Sequence, residues 1–246
     1  MPIYFASDFH LGIDAKHSTQ ERERRVVAWL EHCRQDAEAV YLVGDLFEFW
    51  FEWKRVIPKG YVRFLGKLAE LVDQGIDVHV FTGNHDMWLF DYLETEIGVK
   101  LHRQPIEITL QGKNFLIGHG DGLGPGDHGY KRLKKLFAFK PAQWLLARFH
   151  PNFTMWIAYF WSGFSRSSQP AEAEFLGAEK EWLAVYSEKK LAQNPSLDYC
   201  IFGHRHLPID HTLSNGRSRY LNLGEWLHYY TYVRLEDGEC TLLTWK

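Results

Sequence analysis

Five short apolar runs in this sequence each end in a loop of Asp, His, Asn and Gly, and that repetition narrows the possible folds more than any other feature. The runs are residues 2–7, 39–43, 78–82, 114–118 and 198–202, each rich in Ile, Val, Phe or Tyr and of a length that suits a buried strand. The loops are Asp8-Phe9-His10, Gly44-Asp45-Leu46-Phe47-Glu48, Gly83-Asn84-His85-Asp86, Gly118-His119-Gly120-Asp121 and Gly203-His204-Arg205-His206. Strands that end in polar chemistry are the mark of a layered α/β fold, where functional groups collect on loops at the carboxyl ends of strands.

The rest of the chain fits around those strands. Residues 19–35 place Val26, Val27, Trp29 and Leu30 on one side of a charged helix, and residues 61–72 place Leu65, Leu68, Leu71 and Val72 at helical spacing before Gly75. Gln111-Gly112-Lys113, Ser214-Asn215-Gly216-Arg217 and Glu236-Asp237-Gly238 are hairpin signals, so the C-terminal part is expected to be an antiparallel meander. Residues 124–194 break the alternation with a mostly helical pattern that carries Trp144, Phe149, Phe153, Met155, Trp156, Tyr159, Phe160, Trp161 and Phe164. The expectation is one domain over 1–246, with 124–194 as a helical insertion between the fourth and fifth of these strands.

Composition excludes several classes. A formal net charge of −3 argues against a general binder of nucleic acid or anionic membrane, although Lys131, Arg132, Lys134 and Lys135 cluster locally. The three cysteines are scattered without CxxC spacing, as free thiols in a reducing compartment would be. The first residues lack a basic stretch followed by an apolar one, which leads to the expectation of a cytoplasmic protein. No apolar run reaches the roughly 18 residues that a membrane span needs.

The loops themselves suggest metal chemistry. In extended backbone, residues two apart point the same way, so Asp8 and His10 can reach one ion together, and His204 and His206 can share one ion or serve two. Gly44, Gly83, Gly118 and Gly203 are read as residues that let the chain turn tightly at the strand ends. Imidazole, carboxylate and amide ligands without thiolate suit Mn, Fe or Zn in a reactive site rather than a structural zinc-thiolate site. Among the neighbours, Glu48 either orients a ligand imidazole or is solvated. Asp86 supports His85 or caps the turn, and Asp121 is structural or faces substrate.

The order DxH, GDxx(D/E), GNHD, GH, GHxH, running from Asp8 to His206, resembles the calcineurin-like metallophosphoesterases. The resemblance implies a four-layer αββα sandwich. It implies that Asp8, His10 and His206 hold a first metal ion, that Asn84, His119 and His204 hold a second, and that Asp45 bridges both. His85 would act beside them as an acid or as a stabiliser of phosphoryl oxygens, which makes Asp45 and His85 the catalytic candidates. The cofactors would be two divalent ions, manganese first, with iron or zinc as alternatives, and the reaction in-line attack on phosphorus with no covalent intermediate. A metal-free scaffold is the reading from another class, and it is disfavoured because every ligand of the pattern is present.

A narrower resemblance is carried by Asp8-Phe9-His10-Leu11-Gly12, by Gly44-Asp45-Leu46-Phe47-Glu48-Phe49-Trp50, and by His119-Gly120-Asp121 followed by Asp127-His128-Gly129-Tyr130-Lys131. These are similar to the UDP-2,3-diacylglucosamine pyrophosphatases of lipid A biosynthesis. That resemblance implies cleavage to UMP and 2,3-diacylglucosamine 1-phosphate, a lipid-linked nucleotide substrate, and a helical lid over 124–194 that holds acyl chains. It further implies peripheral attachment to the inner membrane and no nucleic-acid partner. Asp127 and Tyr130, by their spacing from His119, are the substrate-binding candidates, with Lys131 and Arg166 beside them. One departure stands out: many of those enzymes have Arg where this chain has His85. The alternative is a calcineurin-like phosphoesterase acting on another phosphodiester, nucleotide or phosphomonoester.

Overall fold

The computed structural model describes residues 1–126, 128–167 and 174–246, with backbone only for residues 128 and 161–167. Its first sheet consists, in spatial order, of β11 (Glu239–Thr244), β10 (Thr231–Glu236), β1 (Ile3–Ala6), β2 (Ala39–Val43), β3 (Asp77–Phe81) and β4 (Lys100–His102). Its second consists of β5 (Ile106–Leu110), β6 (Lys113–Gly118), β7 (Tyr199–Phe202), β9 (Arg219–Leu223) and β8 (Pro208–Thr212). All five expected strands are present, with ends shifted by a residue or so.

Side-chain alternation builds the layers. Ile3 and Phe5 of β1 join Tyr41, Val43, Phe115, Ile117, Ile201 and Leu221 between the two sheets. Tyr4 and Ala6 take the opposite face, where α1 (Thr19–Cys33) and α2 (Val62–Asp73) supply Val26, Trp29, Leu30, Phe64, Leu68 and Leu71. Outside the second sheet, α6 (Trp182–Gln193) sets Leu183, Ala184 and Leu191 against Leu116, Cys200 and Phe202. Each of these large apolar side chains contributes about 1.5–3 kcal/mol by leaving water. The result is the expected αββα sandwich.

The C-terminal strands depart from the expected meander. β9 runs parallel to β7, with β8 antiparallel on its outer side, while β10 crosses to the first sheet and pairs antiparallel with β1. The hairpin signals are real: Asp237 and Gly238 both have positive φ, at 52° and 80°, in the β10–β11 turn. They report only neighbouring pairs, however. β9 is placed by burial on both faces, with Leu221 and Leu223 toward the intersheet core and Tyr220 toward α6.

The stretch 124–194 contains α3 (His128–Ala138), α4 (Lys140–Leu146), α5 (Pro151–Ser167) and α6. Only α6 joins the sandwich proper. The helices α3 to α5 pack through Phe137, Leu146, Ala147, Met155 and Ala158 onto Phe49, Phe51 and Trp88, which sit in the loops after β2 and β3.

Candidate metal centre

Strands β1, β2 and β3 are parallel, as are β6, β7 and β9, and the loops at their carboxyl ends meet. Asp8, His10, Asp45 and His206 bring one ligand atom each to within 4.8 Å of one another, and so do Asp45, His119 and His204. Asp45 belongs to both groups. Asn84 completes the second, its Oδ1 lying 3.3 Å from His119 Nε2. All seven residues read from the sequence as ligands are thus gathered around one carboxylate.

The backbone that presents them is not extended. Asp8, His10, Asp45, His204 and His206 have φ of 56°, 45°, 51°, 67° and 56°. Each is in the left-handed region, which costs a non-glycine residue about 1–2 kcal/mol. The cluster therefore forms through left-handed turns rather than through extended alternation. The strain is held by cross-links between loops. Asp8 N donates to Gly44 O and His10 N to Asp45 O, both at 3.0 Å. The guanidinium of Arg22, buried on α1, donates to Phe9 O and His10 O at 2.8 Å each. Asn222, at the end of β9, donates to Gly203 O at 2.6 Å.

Of the four strand-end glycines only Gly44 has a positive φ, at 84°, while Gly83, Gly118 and Gly203 are required for space, a Cβ on Gly118 meeting Pro105 at 2.9 Å. A Cβ on Gly83 would run into the Asp45 carboxylate, and one on Gly203 would lie 2.5 Å from Asp8 Oδ2.

Ring tautomers follow from the hydrogen bonds. His119 Nδ1–H donates to Val43 O at 2.9 Å, and His10 Nδ1–H donates to Glu48 Oε2 at 3.0 Å. In the neutral rings both Nε2 atoms then carry lone pairs. His119 Nε2 lies 3.2 Å from Asp45 Oδ2, and His10 Nε2 lies 3.0 Å from His206 Nε2. His204 Nδ1 is buried and lacks a hydrogen-bond partner among the described residues, and buried Asp8 Oδ1 faces His206 Nε2 at 3.1 Å. Converging lone pairs need either protons or cations between them, and this nitrogen and oxygen set without thiolate suits divalent ions.

Without metal, protons fill part of that role. Burial alone would depress His10 and His119, yet the carboxylates of Asp8 and Glu48 raise His10 to about 9, and Asp45 raises His119 to about 10. The same contacts hold Asp8 and Asp45 below the usual carboxylate range despite their burial. Burial, with the nearby charge of His119, lowers His204 to about 4. Burial also lowers His85, with Asp45 opposing it.

The neighbours resolve as follows. Glu48 is buried and orients His10 rather than being solvated. Asp86 accepts from Gly83 N and Leu46 N, each at 2.7 Å, so it ties the third loop to the second. Burial, together with the charge of Asp45, pushes its carboxyl up to about 7. His85 donates from its backbone N to Asp45 Oδ1 at 2.8 Å and from Nδ1 to Glu48 O at 2.9 Å. Asp121 accepts from Tyr130 Oη and Lys134 Nζ, both at 2.6 Å, and so anchors α3. Tyr130 thereby places its hydroxyl on Asp121, and Lys131 Nζ donates to Gly124 O at 2.6 Å. Asp127 lies outside the described residues, and Arg166 is described by its backbone in α5 only. Arg22 and Asn222 are positioning residues that the motifs do not reveal. Arg22 looks like one more charge on a charged helix, and Asn222 ends a run that resembles half of a hairpin.

Glu48→Gln keeps the shape and removes the anion that holds the His10 tautomer. Such outer partners of metal-binding imidazoles are worth about 10–100-fold in metal affinity or activity. A loss of that size is expected, and steady-state kinetics across a metal titration will measure it.

Comparison with known proteins agrees with this geometry. The profile of the calcineurin-like phosphoesterases matches residues 1–208. A protein of Porphyromonas gingivalis named UDP-2,3-diacylglucosamine hydrolase is 40% identical over 98% of this chain and 96% of its own length. Proteins of the same name from Aeromonas salmonicida and Shewanella piezotolerans are 28% and 27% identical, over 97% and 99% of this chain and 91% and 98% of theirs. A match over most of the chain, together with the loop order and the αββα sandwich, shows that this chain belongs to the calcineurin-like phosphoesterase family.

Proposed function

We propose that this chain hydrolyses the pyrophosphate bond of UDP-2,3-diacylglucosamine to UMP and 2,3-diacylglucosamine 1-phosphate, using two divalent ions, with manganese the first choice. The observation that carries the reaction class is the pair of buried ligand clusters sharing Asp45. The full-length similarity to a protein named for this substrate supports the specificity.

In this reading Asp8, His10 and His206 would hold one ion, Asn84, His119 and His204 would hold the other, and Asp45 would serve both. When bound, the ions supply positive charge to the phosphate oxygens and make water a stronger acid. The chain's own groups do the positioning. Glu48 and Val43 O fix the Nδ1–H tautomers that turn His10 Nε2 and His119 Nε2 inward. His85 commits Nδ1–H to Glu48 O and keeps Nε2 for a substrate oxygen. Burial holds His85 below the ordinary imidazole value, so without substrate its Nε2 carries a lone pair, and it becomes a positive donor when the negative charge of a bound phosphate draws a proton onto it.

The helices α3 to α5 are read as a lid for the acyl chains, with Asp127, Tyr130, Lys131 and Arg166 as candidate substrate contacts. Among the described residues no helix is long and apolar enough to cross a membrane. The outer face of the lid nevertheless carries a ladder of stacked rings, Phe153, Trp156 and Phe160, with Trp156 62% and Phe160 71% exposed. Arg148 lies over the exposed Trp144 ring. Aromatic rings beside cations suit the interface of an anionic bilayer. The double substitution Trp156→Glu/Phe160→Glu is expected to lower co-sedimentation with phosphatidylglycerol vesicles at least about tenfold, while turnover of detergent-dispersed substrate changes little. Equal sedimentation would remove this face from the proposal.

The reaction is tested by incubating the protein and Mn²⁺ with UDP-2,3-diacylglucosamine and identifying products by mass spectrometry. UMP with the lipid phosphate is expected. Turnover of soluble nucleotides or simple esters alone would favour the other phosphoesterase reading.

A further inference from the structure

Arg205 stands between His204 and His206, two residues with left-handed backbone that belong to different ligand clusters. Its Nε donates to Glu181 Oε2 at 2.8 Å, and its guanidinium lies 4.5 Å above the centre of the Trp182 ring. Glu181 is buried, and its other oxygen accepts from Leu183 N at 3.4 Å, capping α6. A single carboxylate therefore fixes both the start of a helix and the side chain between the two histidines. Trp182 meets the His204 ring edge-on, with centroids 6.4 Å apart. The Trp182 carbonyl would lie 2.7 Å from a Cβ at Gly124, so the start of the 124–194 stretch meets the start of α6 beside this loop.

We propose that Arg205 and Glu181 are positioning residues for the metal centre, clamping the Gly203–His206 loop to the point where α6 begins. Strained backbone persists only where its surroundings over-determine it. The loop's backbone contributes a Gly203 N to His119 O bond at 3.0 Å, a His204 N bond to Asp8 Oδ2 at 3.1 Å and, within the loop, an Arg205 N to Gly203 O bond at 2.8 Å. The clamp adds a side-chain restraint that ties the residue between the two histidines to an element outside the loop. Arg suits it where Lys would not, because a planar guanidinium both hydrogen-bonds and stacks in a fixed orientation. Releasing it lets His204 and His206 relax together, so both ions loosen while the substrate pocket keeps its shape. This inference rests on the assignment of His204 and His206 as ligands.

The test titrates metal-free protein with Mn²⁺ and follows free Mn²⁺ by electron paramagnetic resonance. Wild type is expected to take up two equivalents. Arg205→Ala and Glu181→Gln should weaken uptake about 10–100-fold, the range typical of residues that orient metal ligands. Arg205→Lys, which keeps the charge and loses the fork, should fall between and carries the test should the alanine variant not fold. At saturating Mn²⁺ the variants should recover turnover with an unchanged KM. A clamp that serves only the fold would lower the melting temperature in chelator and leave Mn²⁺ affinity unchanged, and that result would overturn the proposal. Failure of wild type to bind two equivalents would instead refute the ligand assignment itself.

Discussion

Asp45→Ala is expected to lower kcat/KM by about three orders of magnitude or more, because it removes the one carboxylate shared by both ligand clusters. Asp45 is buried, with Oδ2 at 3.2 Å from His119 Nε2 and 3.9 Å from His10 Nε2, while Oδ1 accepts from His85 N at 2.8 Å. No neighbouring group can take its place: the side of Gly83 that faces it has no side chain, and Asp86 is committed to backbone donors of the second and third loops. The fold should survive. The substitution takes the Asp45 partner from His119 and from His85 N, but His119 can shed its proton and become neutral, and the Asp45 backbone oxygen still accepts from His10 N. The left-handed φ of 51° at this position costs alanine about 1 kcal/mol, a small part of the stability of a domain this size. Circular dichroism should be unchanged, and elemental analysis should find no more than one tightly held ion. Wild-type turnover with two ions bound would refute the central place given to Asp45.

The parts of this site that could be read from sequence are those encoded locally. Each loop places its first candidate ligand one or two residues beyond an apolar run, so the seven residues and the strands that carry them are visible without knowledge of the pairing. The parts that could not be read depend on contacts across the chain. Arg22 reaches His10 O from the next helix, Asn222 reaches Gly203 O from a neighbouring strand, and Glu181 reaches Arg205 from the start of α6. Local patterning also misjudged two conformations. Left-handed backbone at Asp8 and His10 leaves no mark on residue spacing, since neither is Gly. The parallel pairing of β9 with β7 is decided by a sheet face whose other half lies twenty residues earlier, which a hairpin signal cannot report. Gly83 and Gly203 were visible as glycines, but only the packed carboxylates of Asp45 and Asp8 explain why nothing larger fits.

Metal removal should abolish turnover and also lower stability, by an amount that grows with pH. In the metal-free cluster His10 and His119 hold protons more tightly than the ordinary imidazole value of 6.5, at about 9 and about 10. A raised folded-state value means that this pairing stabilises the metal-free protein fully below about pH 6.5 and is lost as pH rises through 9 and 10. Asp8 and Asp45 are depressed, so their contribution is present above the ordinary carboxylate range and is lost only in acid. His204, at about 4, is already neutral near pH 7 and needs to lose no proton. Metal binding through these two rings, as proposed, would require both Nε2 atoms free, so the ions would displace the protons that hold the metal-free cluster together. The two effects act in the same direction: between about pH 6.5 and 8.5 the metal-free protein weakens while binding becomes easier. The stabilisation conferred by Mn²⁺ should therefore rise with pH, by up to about 1.4 kcal/mol per pH unit for each proton displaced. Thermal melts with Mn²⁺ and with chelator, compared across that range, measure the difference directly. Calorimetric titrations in two buffers of unlike ionisation enthalpy count the protons released. A Mn²⁺ stabilisation that stays constant across the range, with no proton release, would mean that His10 and His119 are not the groups the ions displace protons from, and the ligand assignment would have to be redrawn around Asp8, Asp45 and Asn84.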